Sequence, residues 1–225
     1  MVDFYEQRRR MVERHKQEGY IKSKLVEEAM LKVPREEFMP KNLRDYAYVD
    51  QPCPIPGDGR QTISAPYMYP VTYDALNLKP DERFLEIGAG SGYGAALARE
   101  IVGPNGKVIA IEINESTYIF AKENLEHAGY HDVKLILGDG TLGHQEDAPY
   151  DAISVTASTP TIPQPLKDQL ADEGRLIIPL GEPNYFGQQL VLVKKSEGTF
   201  KSRNLMGVVY VPLIGKHGWK SREDR

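Results

Sequence analysis

The sequence predicts an α/β fold built on a doubly wound, mostly parallel sheet, and three observations carry that expectation. Between Glu82 and Gly181, strand-like apolar runs alternate with helix-period segments, the pattern of successive βαβ units. The runs are nearly unbroken in Val, Ile, Leu and Ala, as expected of strands buried on both faces. A group of glycines stands where the first of these strands passes into a helix. Together they describe a Rossmann-like sheet with helices on both faces, carrying an N-terminal helical elaboration and a C-terminal antiparallel hairpin.

The elements follow in order. "DFYEQRRRMVERHKQEG" spaces Phe4, Met11 and Val12 near the helical period and closes at Gly19. The run Arg8-Arg9-Arg10 is short and flanked by acids, so it reads as a solvated helix face. "SKLVEEAMLKV" forms a second helix capped by Ser23 and stopped by Pro34. Five prolines between Pro34 and Pro56 suit a segment that wraps the surface of a core. Ser64 offers an N-cap for a helix beginning at Pro66. "ERFLEIG", "KVIAIEI", "VKLILGD", "DAISVTA" and "GRLIIPLG" read as strands. "SGYGAALAREIV", "ESTYIFAKENLEHAG" and "PQPLKDQL" read as the helices between them. The last two strand-like runs flank "SEGT", a hairpin signal. The 225 residues fit a single domain: an elaboration over 1–60, a cofactor-binding core over 61–195, and a C-terminal strand and tail over 196–225.

Composition excludes several functions. The chain is 40% hydrophobic and 27% charged with a net charge of −4, where a nucleic-acid binder would show a basic domain. One cysteine, Cys53, permits no internal disulfide and reads as a packed thiol. The N-terminus lacks an apolar leader segment, and no apolar run reaches the length of a membrane span. The expectation is a cytoplasmic, monomeric protein without membrane or nucleic-acid partners. The five histidines show no ligand spacing with acids or cysteine, so no metal is expected.

In "FLEIGAGSGYGAALA", Gly88, Gly90, Gly92 and Gly94 let the backbone turn tightly and let a ligand approach the N–H groups of a helix N-terminus. Gly90, Gly92 and Ala95 satisfy the dinucleotide fingerprint, a weak pattern alone that keeps an NAD-dependent oxidoreductase open. Two acids refine it. Glu112 ends the second strand, placed to take the hydroxyls of a ribose. Glu86 would face pyrophosphate in a dinucleotide site, and a cofactor with a cationic amino-acid tail suits it better. Acid-x-Gly-x-Gly-x-Gly resembles the S-adenosylmethionine loop of class I methyltransferases, and Asp139-Gly140 falls where that fold class contacts adenine. The amino-methyltransferase signature at the end of the fourth strand is absent, replaced by "VTASTPTIP". With no evident base near the loop, the acceptor should already be a nucleophile, such as a carboxylate. RNA or small-molecule methyl transfer, and a cofactor-binding module without catalysis, remain as other readings.

"QTISAP", "LEIGAGSGY", "LGDGTLG", "APYDAISVTA", "GRLIIPLG" and "MGVVYVPLIG", with "VPREEF" and "AYVD" upstream, resemble the protein-L-isoaspartate O-methyltransferase family from about Gly19 to Trp219. The "TISAP" and "VPLIG" segments are the specific ones. The resemblance implies S-adenosyl-L-methionine as cofactor, S-adenosyl-L-homocysteine as product, and isoaspartyl proteins and peptides as substrates. It implies that Ser64 is the active-site residue and that Thr62 helps to hold the substrate. Ala65, Pro66, Tyr67, Met68 and Tyr69 would close over the cofactor. Ser91, Ile113 and Ile214 match positions beside it. Arg60 and Tyr67 depart from the usual Gly and His. An isoaspartyl residue leaves its α-carboxylate free, with a pKa of ~3.5, so the acceptor is ionised at neutral pH and needs no base. Ser64 would therefore orient it as a hydrogen-bond donor, not act as a nucleophile. The labile ester would close to a succinimide without the enzyme, and that ring hydrolyses partly to aspartate.

Overall fold

The computed structural model describes residues 3–182 and 187–220. The end of the tail, residues 221–225, lies outside them. Helices α1 (Phe4–Gln17) and α2 (Lys24–Lys32) open the chain. Ser23 caps α2 by accepting from the Val26 N–H at 3.3 Å, and Gly19 has φ +77° just past the end of α1. A two-stranded ribbon pairs β1 (Cys53–Pro54) with β2 (Thr62–Ile63), and α3 (Met68–Leu76) follows. The core then runs β3 (Arg83–Ile87), α4 (Tyr93–Val102), β4 (Lys107–Glu112), α5 (Glu115–His127), β5 (Lys134–Leu137) and β6 (Tyr150–Val155). It ends with α6 (Gln164–Asp168), β7 (Leu170–Leu180), β8 (Gln188–Ser196) and β9 (Thr199–Val208).

The seven-stranded sheet has the order β5-β4-β3-β6-β7-β8-β9. Strands β3 to β7 are mutually parallel, while β8 and β9 return antiparallel. The β8–β9 turn has positive φ at both central residues, Glu197 and Gly198, as a tight hairpin requires. Successive residues of a strand face opposite sides, so Phe84, Val108, Ala110 and Ala152 pack with α1, α2, α4 and α5. Leu85, Ile109, Ile153 and Leu176 form the other layer. That second face is covered by the short α6, 3₁₀ turns and the C-terminal segment. The strand order reverses between β4–β3 and β3–β6, which places a crevice at the C-terminal ends of β3 and β4.

Two expectations are corrected. Arg8 is not a solvated residue: it donates to the Tyr48 hydroxyl at 2.8 Å and pairs with Glu36 at 3.0 Å, while Arg9 and Arg10 are exposed. Arg8 shares the inward face of α1 with Met11, Val12 and His15, three, four and seven residues on. Ser64 does not cap α3, which begins at Met68 and carries no side-chain cap on its first turn. Ala65 and Pro66 instead form a turn, with the Met68 N–H donating to the Ala65 carbonyl at 3.1 Å. The Tyr67 N–H is taken by Asp50 Oδ1, also at 3.1 Å. Cys53 is buried, as a packed thiol should be.

Candidate active site

The glycine loop links β3 to α4. Gly88 and Ala89 both donate to the Ile111 carbonyl, at 2.8 and 3.0 Å, which pins the loop to β4. Gly88 has φ +87°, and a Cβ there would lie 2.3 Å from Thr156 Oγ1, so both conformation and space demand glycine. Gly90 has φ +56° but meets nothing closer than Ile55 Cδ1 at 3.8 Å and the Thr62 carbonyl oxygen at 4.0 Å. Its bare face opens toward the segment that carries Thr62 and Ser64. Ser91 is buried, and its carbonyl accepts from Asn124 Nδ2 at 3.0 Å. Gly92 has φ +84° and starts α4.

Both strand-end acids lie in this crevice. Glu112 Oε2 accepts from the Gly90 N–H, and Oε1 accepts from Ile113 and Asn114, all at 3.0 Å. Burial raises the Glu112 carboxyl, and these backbone donors oppose the rise. Glu86 is only 3% exposed. Its Oε1 packs where a Cβ on Gly94 would stand, and the Ala95 N–H approaches it as a donor. Its Oε2 is buried with no hydrogen-bond partner among the described residues. Burial pushes this carboxyl up to about 8, and the Glu112 charge adds to the rise. Two neighbouring buried carboxyls make the loop hostile to a pyrophosphate and receptive to a cation.

The remaining cofactor candidates lie just past β4, just past β5 and in the C-terminal segment. Asp139 Oδ1 accepts from the Thr141 N–H and hydroxyl at 2.8 and 2.7 Å, and Oδ2 accepts from the Lys216 N–H at 2.8 Å. Its carboxylate therefore ties the C-terminal segment to the end of β5. Gly140 is held against Ile87, where a Cβ would meet Cγ2 at 2.5 Å. Ile113 is exposed beside Glu112, and Ile214 bridges to Trp219, whose Nε1 donates to the Ser158 carbonyl at 3.0 Å.

The "TISAP" segment leaves β2 at Ser64. Thr62 is exposed, Ser64 half-buried, and Ala65, Pro66 and Met68 buried. Met68 points into the core, whereas Tyr69 packs edge-on against Tyr93 of α4 with ring centroids 4.8 Å apart. Tyr67 lies against Tyr20 at 5.2 Å. The Ser64 side chain lies beside the Tyr210 hydroxyl, whose pKa burial raises. Sequence reasoning missed Tyr210 as well as Gln188. The buried Gln188 accepts from the Tyr210 N–H at 2.7 Å and donates to its carbonyl at 3.1 Å, clamping both sides of the residue. Tyr210 lies within the quoted "MGVVYVPLIG", but nothing in the sequence gives Gln188 that role.

Sequence spacing shows no metal pattern, yet the fold gathers His15, Glu18 and Asp50 with ligand atoms within 4.8 Å of one another. Asp50 is remote in sequence, which hides the group. His15 Nε2 lies 3.4 Å from Asp50 Oδ2, and burial lowers the histidine's pKa. Asp50 also accepts from the Tyr67 N–H, so the group seats α1 on the segment after β2 and lies apart from the glycine loop.

A family model described as protein-L-isoaspartate(D-aspartate) O-methyltransferase matches residues 6–218. The protein-L-isoaspartate O-methyltransferase of Methanothermobacter thermautotrophicus is 48% identical over 216 residues, covering 96% of this chain and 98% of that protein. That of Pyrococcus horikoshii is 48% identical over 218 residues, with 97% of each chain covered. Among solved structures, one titled protein-L-isoaspartate O-methyltransferase superposes with a TM-score of 0.83 at 30% identity, covering 93% of this chain and 66% of its own. A Plasmodium falciparum protein of the same description, in complex with S-adenosyl-L-homocysteine, gives 0.81 at 28% identity, with 95% and 99% coverage.

Proposed function

The chain belongs to the protein-L-isoaspartate(D-aspartate) O-methyltransferase family, and from that membership we propose how its own side chains divide the work. The reaction moves a methyl group from S-adenosyl-L-methionine to the free α-carboxylate of an L-isoaspartyl residue, a protein-repair step. The residues present fit this cofactor. Glu86 holds a buried carboxyl oxygen without a hydrogen-bond partner among the described residues, and Gly90 has no Cβ to obstruct approach. Bound there, S-adenosyl-L-methionine supplies an electrophilic methyl carbon on a cationic sulfonium.

In this reading Glu86 takes the cationic amino-acid end and Glu112 takes the ribose hydroxyls. Asp139, Gly140 and Ile113 surround adenine. Gly88, Gly90, Ser91 and Gly92 shape the loop, while Ala65 to Tyr69 and Ile214 close over it. Thr62 holds the substrate chain. Ser64 donates its hydroxyl to the acceptor carboxylate and orients one oxygen toward the methyl carbon. No side chain has to remove a proton, because the attacking group carries none. The protein's chief contribution is alignment, which is worth ~7–11 kcal/mol in model systems.

The observation that carries this reading is the meeting of two segments. The Thr62 carbonyl lies against the open face of Gly90, so the acceptor side and the cofactor side share one crevice. We further read the enzyme as a single-domain cytoplasmic monomer acting on isoaspartyl proteins and peptides, without nucleic acid. No helix among the described residues is long and apolar enough to cross a membrane.

The test is methyl transfer to two peptides that differ only in aspartate or isoaspartate at one position. The isoaspartyl peptide should be labelled and its twin ignored. Equal labelling of both, or of neither, would refute the assignment.

A further inference from the structure

Arg35 is among the largest fully buried side chains, with no exposed surface. Its guanidinium pairs with no carboxylate among the described residues. It donates from Nε to the Ala47 carbonyl and from Nη2 to the Ser64 carbonyl, both at 2.7 Å. Its Cζ lies 5.7 Å from the Tyr69 ring centre and 5.3 Å from that of Tyr93, so two aromatic rings flank the charge. Its Nη1 is buried with no hydrogen-bond partner among the described residues. Burying a guanidinium is expensive unless an anion offsets it. Here the fold retains a positive charge without one, directly behind the residue that meets the acceptor. Burial and nearby tyrosines account for its shape. They do not account for an unpaired charge bonded to Ser64.

We propose that Arg35 is the positioning residue of the acceptor site: it fixes the Ser64 peptide through its carbonyl, and its unpaired charge makes the site select an ionised carboxylate over a neutral amide. The proposal rests on the reading of Ser64 as the acceptor-orienting donor. Two carbonyls from different segments, Ala47 and Ser64, are held by one planar fork, which sets the height of Ser64 above the glycine loop. Lysine offers a point charge and cannot span both carbonyls. The neighbours carry no formal charge: Tyr93 presents its ring, Tyr69 its ring and a hydroxyl within reach of the guanidinium, and the carbonyls present oxygen. The isoaspartyl carboxylate brings a negative charge near the guanidinium without touching it, because Arg35 is fully buried.

The test uses the whole enzyme. Arg35→Lys should lower kcat/KM for an isoaspartyl peptide roughly 10- to 100-fold, the scale of an ångström-level misplacement. Cofactor affinity should fall by a smaller factor than kcat/KM, since Arg35 reaches the cofactor side only through the Tyr69 ring and makes no hydrogen bond to Glu86 or Glu112. In a Ser64→Ala background the same change should cost less than about threefold, because both act through one hydroxyl. Independent, multiplying losses would overturn the positioning role while leaving the Ser64 reading intact. An unaffected Ser64→Ala enzyme would fail that reading instead. Arg35→Gln should shrink the wild-type preference for binding a peptide with a free α-carboxylate over its α-carboxamide twin, and an unchanged preference would overturn the charge role. Should the variants not fold, the wild type decides. The ¹⁵N-labelled Arg35 Nε–H resonance should move on addition of the carboxylate peptide, and a resonance that stays in place overturns the proposal.

Discussion

Cofactor binding should expel a proton from Glu86. The free enzyme holds this carboxyl at about 8, because burial disfavours its charge and Glu112 lies nearby. At pH 7 most of the molecules are therefore protonated there. A cationic ammonium beside the unpartnered Oε2 reverses the balance and draws the group toward its ordinary 4.5. The full excursion is ~3.5 units, an upper bound of ~5 kcal/mol of coupling at 1.36 kcal/mol per unit. The sign follows. The bound state needs the ionised form, so affinity rises with pH toward about 8, close to tenfold per unit at first, and the gain ends there as the cofactor's own α-ammonium, ~7.7–8.0 when free, begins to lose its proton. Titration calorimetry at pH 7 in two buffers of different ionisation enthalpy should report net proton release on cofactor binding. Glu86→Gln should abolish both the release and the slope. The same shift acts on folding. A carboxyl whose folded pKa is raised stabilises the native state fully below the unfolded value, and that contribution is lost as pH climbs from 4.5 to about 8. The Gln variant should melt with a flatter pH profile in that window. No proton release together with pH-independent affinity in the wild type would refute the reasoning.

Ser64→Ala should slow turnover roughly 10- to 100-fold through loss of a charge-assisted hydrogen bond worth ~1.5–3 kcal/mol. Lost cofactor binding with normal turnover at saturating cofactor would show the role to be misassigned. Glu112→Ala should raise the cofactor dissociation constant, and an unchanged constant would remove it from the site. Single-turnover methyl transfer at saturating cofactor should be flat between about pH 5 and 8, because the acceptor is ionised throughout. A steep rise through a pKa near neutrality would reveal a general base. Asp58-Gly59 is suited to isoaspartate formation, but Arg60 donates to the Asp58 carboxylate, including from Nε at 3.1 Å, and lowers its pKa. An ionised carboxylate is a poor site for succinimide closure. Arg60→Ala should therefore speed isoaspartate build-up at Asp58 several-fold during heat-ageing, as followed by peptide mapping, and equal rates would sink that account.

The alternation of β3 to β7 with helices was legible because both periodicities are local, and parallel strands buried on two faces keep unbroken apolar runs. The β8–β9 hairpin was legible for the same reason, since its turn carries its own chemistry. What escaped depends on partners far along the chain. The start of α3 was misplaced because its leading N–H is taken by Asp50, 17 residues upstream. Arg8 looked solvated because Tyr48 and Glu36 approach it only in three dimensions. The Gln188 clamp on Tyr210 joins the start of β8 to the segment after β9, and a single glutamine in a strand announces nothing. Glu86 stood out because an acid at the end of an apolar strand conflicts with its surroundings. Arg35, buried from a charged segment, left no such trace.

The distribution of charge argues for which reactant enters which half of the crevice. Glu86 and Glu112 place two buried carboxyls at the ends of β3 and β4, on the glycine-loop side. Arg35 places a cation with no carboxylate partner among the described residues behind Ser64, on the side proposed to receive the acceptor. A sulfonium with an ammonium tail is attracted to the first half, and a carboxylate to the second. The two reacting groups carry opposite charges that vanish in the transfer, so the protein gains nothing by neutralising either fully beforehand. A carboxylate salt-bridged to Arg35 would lose nucleophilicity. Holding the guanidinium one peptide away, through the Ser64 carbonyl, keeps the attraction that selects the acceptor and leaves the attacking oxygen unpaired. The same logic explains a serine at the contact point. A hydroxyl can orient a carboxylate without quenching its charge, which a lysine or arginine at position 64 would do.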